Sequence, residues 1–202
     1  MNIRFRVAPA ILLACICFGN LATAHAADTL EGIPLVWSPT SPMSEREPID
    51  VKGLEGIKFQ VEPFTDKRAD PALIGRNVDK VPLRMITTNE NVARFVTYHV
   101  KSLMSGLGLQ VVESGGDVVL NGAVMKFFVD EARRYKAEVE LQVVFTDSSG
   151  KTIRAVSTTG TASRFGISYK AANYYEVLSD SLIGAVHQMV GNPDFRKSLV
   201  RQ

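Results

Sequence analysis

Residues 65–76 read Thr-Asp-Lys-Arg-Ala-Asp-Pro-Ala-Leu-Ile-Gly-Arg, with five charges in twelve positions. Asp66 and Asp70 form a carboxylate pair, and two carboxylates can share acid–base work when a cleft drives their proton affinities apart. Lys67 and Arg68 stand between them and Arg76 follows, and nearby cations hold carboxylates ionised. That argues against catalysis. Two readings remain for Asp66, Lys67, Arg68, Asp70 and Arg76. One is a loop fixed by contacts of Asp66 with Arg68 or of Asp70 with Arg76, with Asp70-Pro71 starting a turn or helix. The other is a binding surface for a partner or ligand.

Other catalytic chemistry has little to draw on. After residue 26 the chain has two histidines, His99 and His187. Each falls inside a predicted helix, and two histidines without a clear third ligand make a poor metal site. There is no G-x-S-x-G elbow, H-E-x-x-H, Walker loop or dinucleotide fingerprint. Gly106-Leu107-Gly108 reads as a helix stop rather than a phosphate cradle. We expect no catalytic residue, metal or cofactor; a hydrolase is the weakest alternative. A second contact surface is the polar face carrying Lys136, Glu138, Glu140, Gln142 and Arg154.

The N-terminus addresses the chain to the envelope. Arg4 and Arg6 precede an apolar run over residues 7–18, and Ala24-His25-Ala26 has the small-x-small form of a signal-peptidase site. A second reading stands beside it. Leu12-Leu13-Ala14-Cys15 resembles a lipobox, which would make Cys15 the acylated residue. Cleavage after Ala26 removes both cysteines and, of 202 residues, leaves 176, enough for one domain with a sizeable core. Arg4 and Arg6 leave too, so 23 basic residues fall to 21 against 21 acidic ones. A formally neutral chain gives no support to nucleic-acid binding, which needs a clustered basic face.

Hydrophobic periodicity places the elements. Prolines 34, 39, 42 and 48 mark residues 27–55 as a leader or tether, with Ile33-Pro34-Leu35-Val36-Trp37 apolar enough to lie on the domain and Trp37 docking on its core. Alternation predicts a strand at 57–61, and a long polar connection runs to about residue 87. A helix is expected over 88–104, capped by Thr87 with Glu90, then strands at 109–112, 118–129, 135–146 and 152–163. A helix capped by Asn173 follows, and Pro193 opens a last short one. The domain, residues 56–202, is thus α+β: a two-layer sandwich, mostly antiparallel, with helices on one face in the order β-α-β-β-β-β-α-α.

The segments Ser38-Pro39-Thr40, Asp66-Lys67-Arg68-Ala69-Asp70-Pro71-Ala72-Leu73 and residues 175–199 resemble the YajG-like family of small bacterial envelope lipoproteins. The resemblance extends over residues 33–200. It implies an outer-membrane-anchored periplasmic domain with no established enzyme activity, similar in layout to the N-terminal domain of the TolB family. The family has a clear lipobox where this chain has a degenerate one. The expected function is a non-enzymatic binding or accessory protein of the envelope, whose partner is an envelope protein or cell-wall component and whose only membrane attachment is a lipid anchor. The alternative is a structural or assembly component.

Overall fold

The computed structural model describes residues 30–41, 48–166 and 168–200. The predicted signal, with Cys15 and Ala26, lies outside the described residues. In chain order the elements are β1 (Lys58–Val61), β2 (Thr65–Asp66), β3 (Leu73–Asn77), β4 (Arg84–Thr87), α1 (Val92–Gly106), β5 (Gln110–Val112), β6 (Val118–Glu131), β7 (Arg134–Asp147), β8 (Thr152–Phe165), α2 (Ala171–Gly191) and α3 (Pro193–Val200).

β6 organises the sheet. One of its edges carries β7 antiparallel, and β7 carries β8 antiparallel. Tight turns join the three; Asp147 Oδ1 accepts the N–H groups of Ser149 and Lys151, and Gly150 takes a φ of 85°. The other edge of β6 is lined end to end by β1, β2 and β3, all parallel to it: Phe59 pairs Val118, Thr65 pairs Ala123 and Gly75 pairs Val129. β5 and β4 then add outside β1 and β3. The long pairings are antiparallel and most short ones parallel, so the expected α+β layout holds, with a mixed sheet. What reads as a long polar connection contains β2, β3 and β4.

Alternation along β7 buries Tyr135, Ala137, Val139, Leu141, Val143 and Phe145, and turns Lys136 and Gln142 to solvent. The buried side faces α1, α2 and α3. Two expected caps are corrected. Asn91, not Thr87, caps α1, accepting from the Arg94 N–H at 2.9 Å. Thr87 is occupied elsewhere, since its backbone pairs with Leu30 and Ile33. Asn173 lies buried inside α2, whose N-cap is Lys170. Gly108, with a φ of 86°, closes α1 as its sequence suggests.

The leader wraps the helical layer. Leu30, Ile33 and Leu54 are buried. Trp37 stacks on His99 with centroids 4.0 Å apart and planes 12° from parallel. Beyond it, the Ser38 N–H donates to Ser179 Oγ, and Thr40 donates to Asp180 through both N–H and hydroxyl. His99 sits at this junction, and burial depresses its pKa to about 4 from the ordinary 6.5. Between those values the unfolded chain takes up a proton that the folded chain refuses. Stability is therefore full above pH 6.5 and is lost as pH falls towards 4, by about 2 kcal/mol allowing for partial solvation of the ring. Urea midpoints at pH 7 and pH 4.5 should show this loss, and His99→Phe should reduce it. An equal acid sensitivity in the variant would refute the assignment.

Candidate functional site

The charged loop lies between β2 and β3, where the chain leaves the edge of β6 and returns to it. Its internal bonds make it stiff. Arg68, with only 6% of its side chain exposed, donates to both Asp66 carboxylate oxygens at 2.9 and 2.7 Å, to the Leu73 carbonyl at 2.9 Å and to the Pro71 carbonyl at 2.5 Å. Partial burial pushes the Asp66 carboxyl up, but the bonds from Arg68 outweigh it and hold the group below the usual range. Asp70 Oδ1 accepts from the Ala72 and Leu73 N–H groups, an Asx turn. Asp66 and Arg68 thus fix the loop.

Arg76 does not pair with Asp70. Its Nε donates to Asp130 Oδ1 at 2.5 Å, and its guanidinium lies 5.7 Å from the centre of the Phe128 ring. Lys67 and Asp70 are exposed. The structure therefore splits the five residues into an inner pair, Asp66 and Arg68, and an outer set, Lys67, Asp70 and Arg76.

The loop walls a hollow of about 320 Å³ on the sheet face away from the helices. Met125, Phe128 and the stem of Lys126, all on β6, make its floor, with Arg76 and Asp130 at the rim. A second hollow, about 390 Å³, shares Lys126, Phe128 and Asp130 and runs on to Lys136, Glu138 and Ser163. The Lys126–Glu138 ion pair, 2.6 Å long, stands between them. Loop and polar sheet face, separate candidates in the sequence, are one continuous surface with an apolar floor and charges of both signs, but Arg154 is not on it: it stands across from buried Phe145 and reaches Asp194 of α3 on the helical side. Met125 and Phe128 escape a sequence reading that takes the exposed face from β7 alone; the signal for them is that β6 is apolar at positions of both parities.

Two other features lie apart from this surface. A groove of about 680 Å³ follows the polar side of α1, between Tyr98, Arg94 and Lys101 and the chain at Phe64 and Glu113, with a Lys101–Glu113 ion pair of 2.8 Å across it. At one end of the sheet, Glu131 is 2% exposed and accepts from the Tyr135 hydroxyl at 2.7 Å and the Tyr174 hydroxyl at 2.5 Å. Burial first, then the carboxylate, pushes Tyr135 up to about 12 and Tyr174 well above its usual value. This closed cluster braces β6, β7 and α2. Among the described residues no group of three or more His, Cys, Asp or Glu side chains is placed to hold a metal ion.

No family model matches the chain, and no curated protein matches it. Among solved structures, a lipoprotein of Neisseria meningitidis aligns with a TM-score of 0.35 at 12% identity, over 56% of this chain and 88% of that one. A Caulobacter crescentus protein provisionally named a lipoprotein aligns with a TM-score of 0.49 at 10% identity, over 75% of this chain and 96% of that one. A Xanthomonas campestris protein of the DUF330 family aligns with a TM-score of 0.51 at 16% identity, over 67% of this chain and 82% of that one. At that identity the last likeness is one of fold: this chain is similar in fold to the DUF330-family protein.

Proposed function

We propose that the protein is a non-enzymatic binding or accessory protein of the bacterial cell envelope, exported to the periplasm and similar in kind to the YajG-like lipoproteins. It engages an envelope protein or cell-wall component through the open sheet face. The observation that carries this reading is the hollow walled by the stiff loop, with Phe128 and Met125 as floor and Arg76, Asp130 and Lys126 around it. A prepaid loop conformation and an apolar floor within a charged rim suit recognition, because little ordering entropy is left to lose on binding. The N-terminal signal supports the compartment, and Cys15 would supply an outer-membrane anchor if acylated.

Residues 27–202 contain no cysteine, so Ala69→Cys gives one site for a photo-cross-linker at the hollow's wall. In envelope preparations it should trap a defined adduct. Adding Lys67→Glu and Arg76→Glu should remove the adduct while leaving the melting temperature within a few degrees. Persistence of the adduct would sink the proposal. Arg68 is unsuitable for such a test, since Arg68→Ala breaks the loop and costs about 2–3 kcal/mol by itself.

An assembly role through strand addition is the second reading. It is favoured by β8, whose fourteen residues have, among the described residues, a strand partner on one side only.

A further inference from the structure

Three chain segments meet at one end of the sheet. The β3–β4 connection runs past the last sheet pairs, Asn77 with Glu131 and Asn77 with Arg84. Beside it is the β6–β7 turn with Arg133 and Arg134, and Arg134 pairs with Phe165 at the end of β8. Five strands wide at about 4.8 Å each, this end spans roughly 20 Å.

Its composition differs from the rest of the surface. Val81 is 99% exposed, Phe165 67%, Leu83 50%, Met85 46% and Val78 41%. These are five of the eight large hydrophobic residues exposed among the described residues. Around them stand Lys80, Arg84, Arg133, Arg134, Arg164 and Lys170, against one acid, Asp79, in segments 78–85, 132–134 and 164–170. Arg164 is neutralised by Glu176, and Arg84 lies over the Tyr169 ring at 5.2 Å. Among the described residues Lys80, Arg133 and Arg134 have no ion-pair partner, and each is exposed. The chain from residue 27 onward is formally neutral, so this is a local concentration of positive charge beside protruding apolar side chains.

The leader also reaches this end: the Leu30 N–H donates to the hydroxyl of Tyr169, the ring that Arg84 covers. An anchor upstream of Leu30 would thus join the body next to the β3–β4 connection.

We propose that this end is a docking surface for an anionic lipid bilayer. Val81 and Leu83 would enter the boundary between headgroups and acyl chains, and Lys80, Arg84, Arg133 and Arg134 would lie at the headgroup level. Apolar side chains in the interface and cations on anionic headgroups act together in this way at membrane surfaces. Docking here leaves the open sheet face and its hollows clear of the bilayer, so the surface is independent of the partner contact proposed above.

The test uses residues 27–202, which include every residue of the described fold and no cysteine. An environment-sensitive dye is placed at Val81→Cys, or at Ser149→Cys in the β7–β8 turn at the opposite end. With vesicles of equal parts phosphatidylglycerol and phosphatidylethanolamine, the dye at position 81 should shift to the blue and the dye at 149 should not. Phosphatidylcholine vesicles should give little shift at either. Arg133→Glu with Arg134→Glu should weaken the partition by more than about tenfold, with circular dichroism confirming the fold. No shift at 81, an equal shift at 149, or unchanged partition in the double variant overturns the proposal. So does a shift at 81 that grows with protein concentration in the absence of lipid, which would make this end a contact between copies of the chain.

Discussion

Gly160→Val should leave the protein largely unfolded, a loss of about 4 kcal/mol or more. A Cβ at Gly160 would overlap the Ser181 carbonyl oxygen and the Ala185 backbone nitrogen, so α2 crosses β8 with backbone on backbone. Nothing there is a flexible side-chain end that could swing aside. Relief requires lifting α2 off the sheet, and α2 contributes Tyr174, Val177, Leu182, Val186 and Met189 to the core. The crossing is also bonded: the Thr158 hydroxyl donates to the Ala185 carbonyl at 2.6 Å, and the Thr159 N–H donates to Gln188 Oε1 at 2.6 Å. Overpacking normally costs about 1–3 kcal/mol where side chains can adjust; with two backbones opposed, the cost approaches the whole stability of a domain this size. Gly184→Ala is the internal control. Its Cβ would sit 3.4 Å from the Gly160 Cα, a contact relieved by small shifts, so its cost should stay near 1 kcal/mol. Urea denaturation followed by circular dichroism separates the two, and similar midpoints for both variants would refute the backbone crossing.

Glu131→Ala should cost about 3 kcal/mol. The carboxylate is the acceptor for two buried tyrosine hydroxyls, and its removal strands the Tyr174 hydroxyl completely. The Tyr135 hydroxyl keeps the Ser168 carbonyl beside it. Leaving a buried polar group unpaired costs about 1–3 kcal/mol, and the lost side chain adds a cavity. Tyr135→Phe should be milder than Tyr174→Phe, because Tyr135 divides one proton between Glu131 and the Ser168 carbonyl, and that carbonyl also accepts from Asn173 Nδ2. Replacing donor and acceptor together, as in Glu131→Leu with Tyr174→Phe, should recover part of the loss, because a buried polar group and its partner removed together cost less than either alone. A double variant no more stable than Glu131→Ala would show that the cluster contributes by packing and not by its hydrogen bonds.

How far the sequence discloses this molecule depends on the range of the interactions. β6, β7 and β8 pair with chain neighbours through tight turns, and the Tyr135, Ala137 and Val139 alternation carries its own evidence. The stripe of Val92, Val96, Val100 and Leu103 does the same for α1. β2 and β3 have no such signature. They are two and five residues long, interrupted by charges and Pro71, and are strands because β6 offers an edge. The spacing of Thr87 and Glu90 satisfies a capping box, but Thr87 is taken by Leu30 and Ile33, more than fifty residues upstream. Glu131-Ala132-Arg133-Arg134 reads as a solvated turn, and nothing local says that Tyr174, 43 residues on, closes over Glu131. For the candidate site, Asp66 with Arg68 is legible because the partners are two residues apart. Arg76 with Asp130, 54 apart, is not.

The end-to-end row of β1, β2 and β3 along β6 also sets an order of assembly. Lys58 to Asn77 find their parallel partners in Gln110–Val112 and Val118–Glu131, so each of these pairings must close a loop of more than fifty residues. The β6–β8 meander closes loops of a few residues. In a chain delivered N-terminus first, β1 and β2 arrive with no strand to join, and β3 has only its hairpin partner β4, until β5 and then β6 appear. The early half of the polypeptide then condenses onto a template made by the late half.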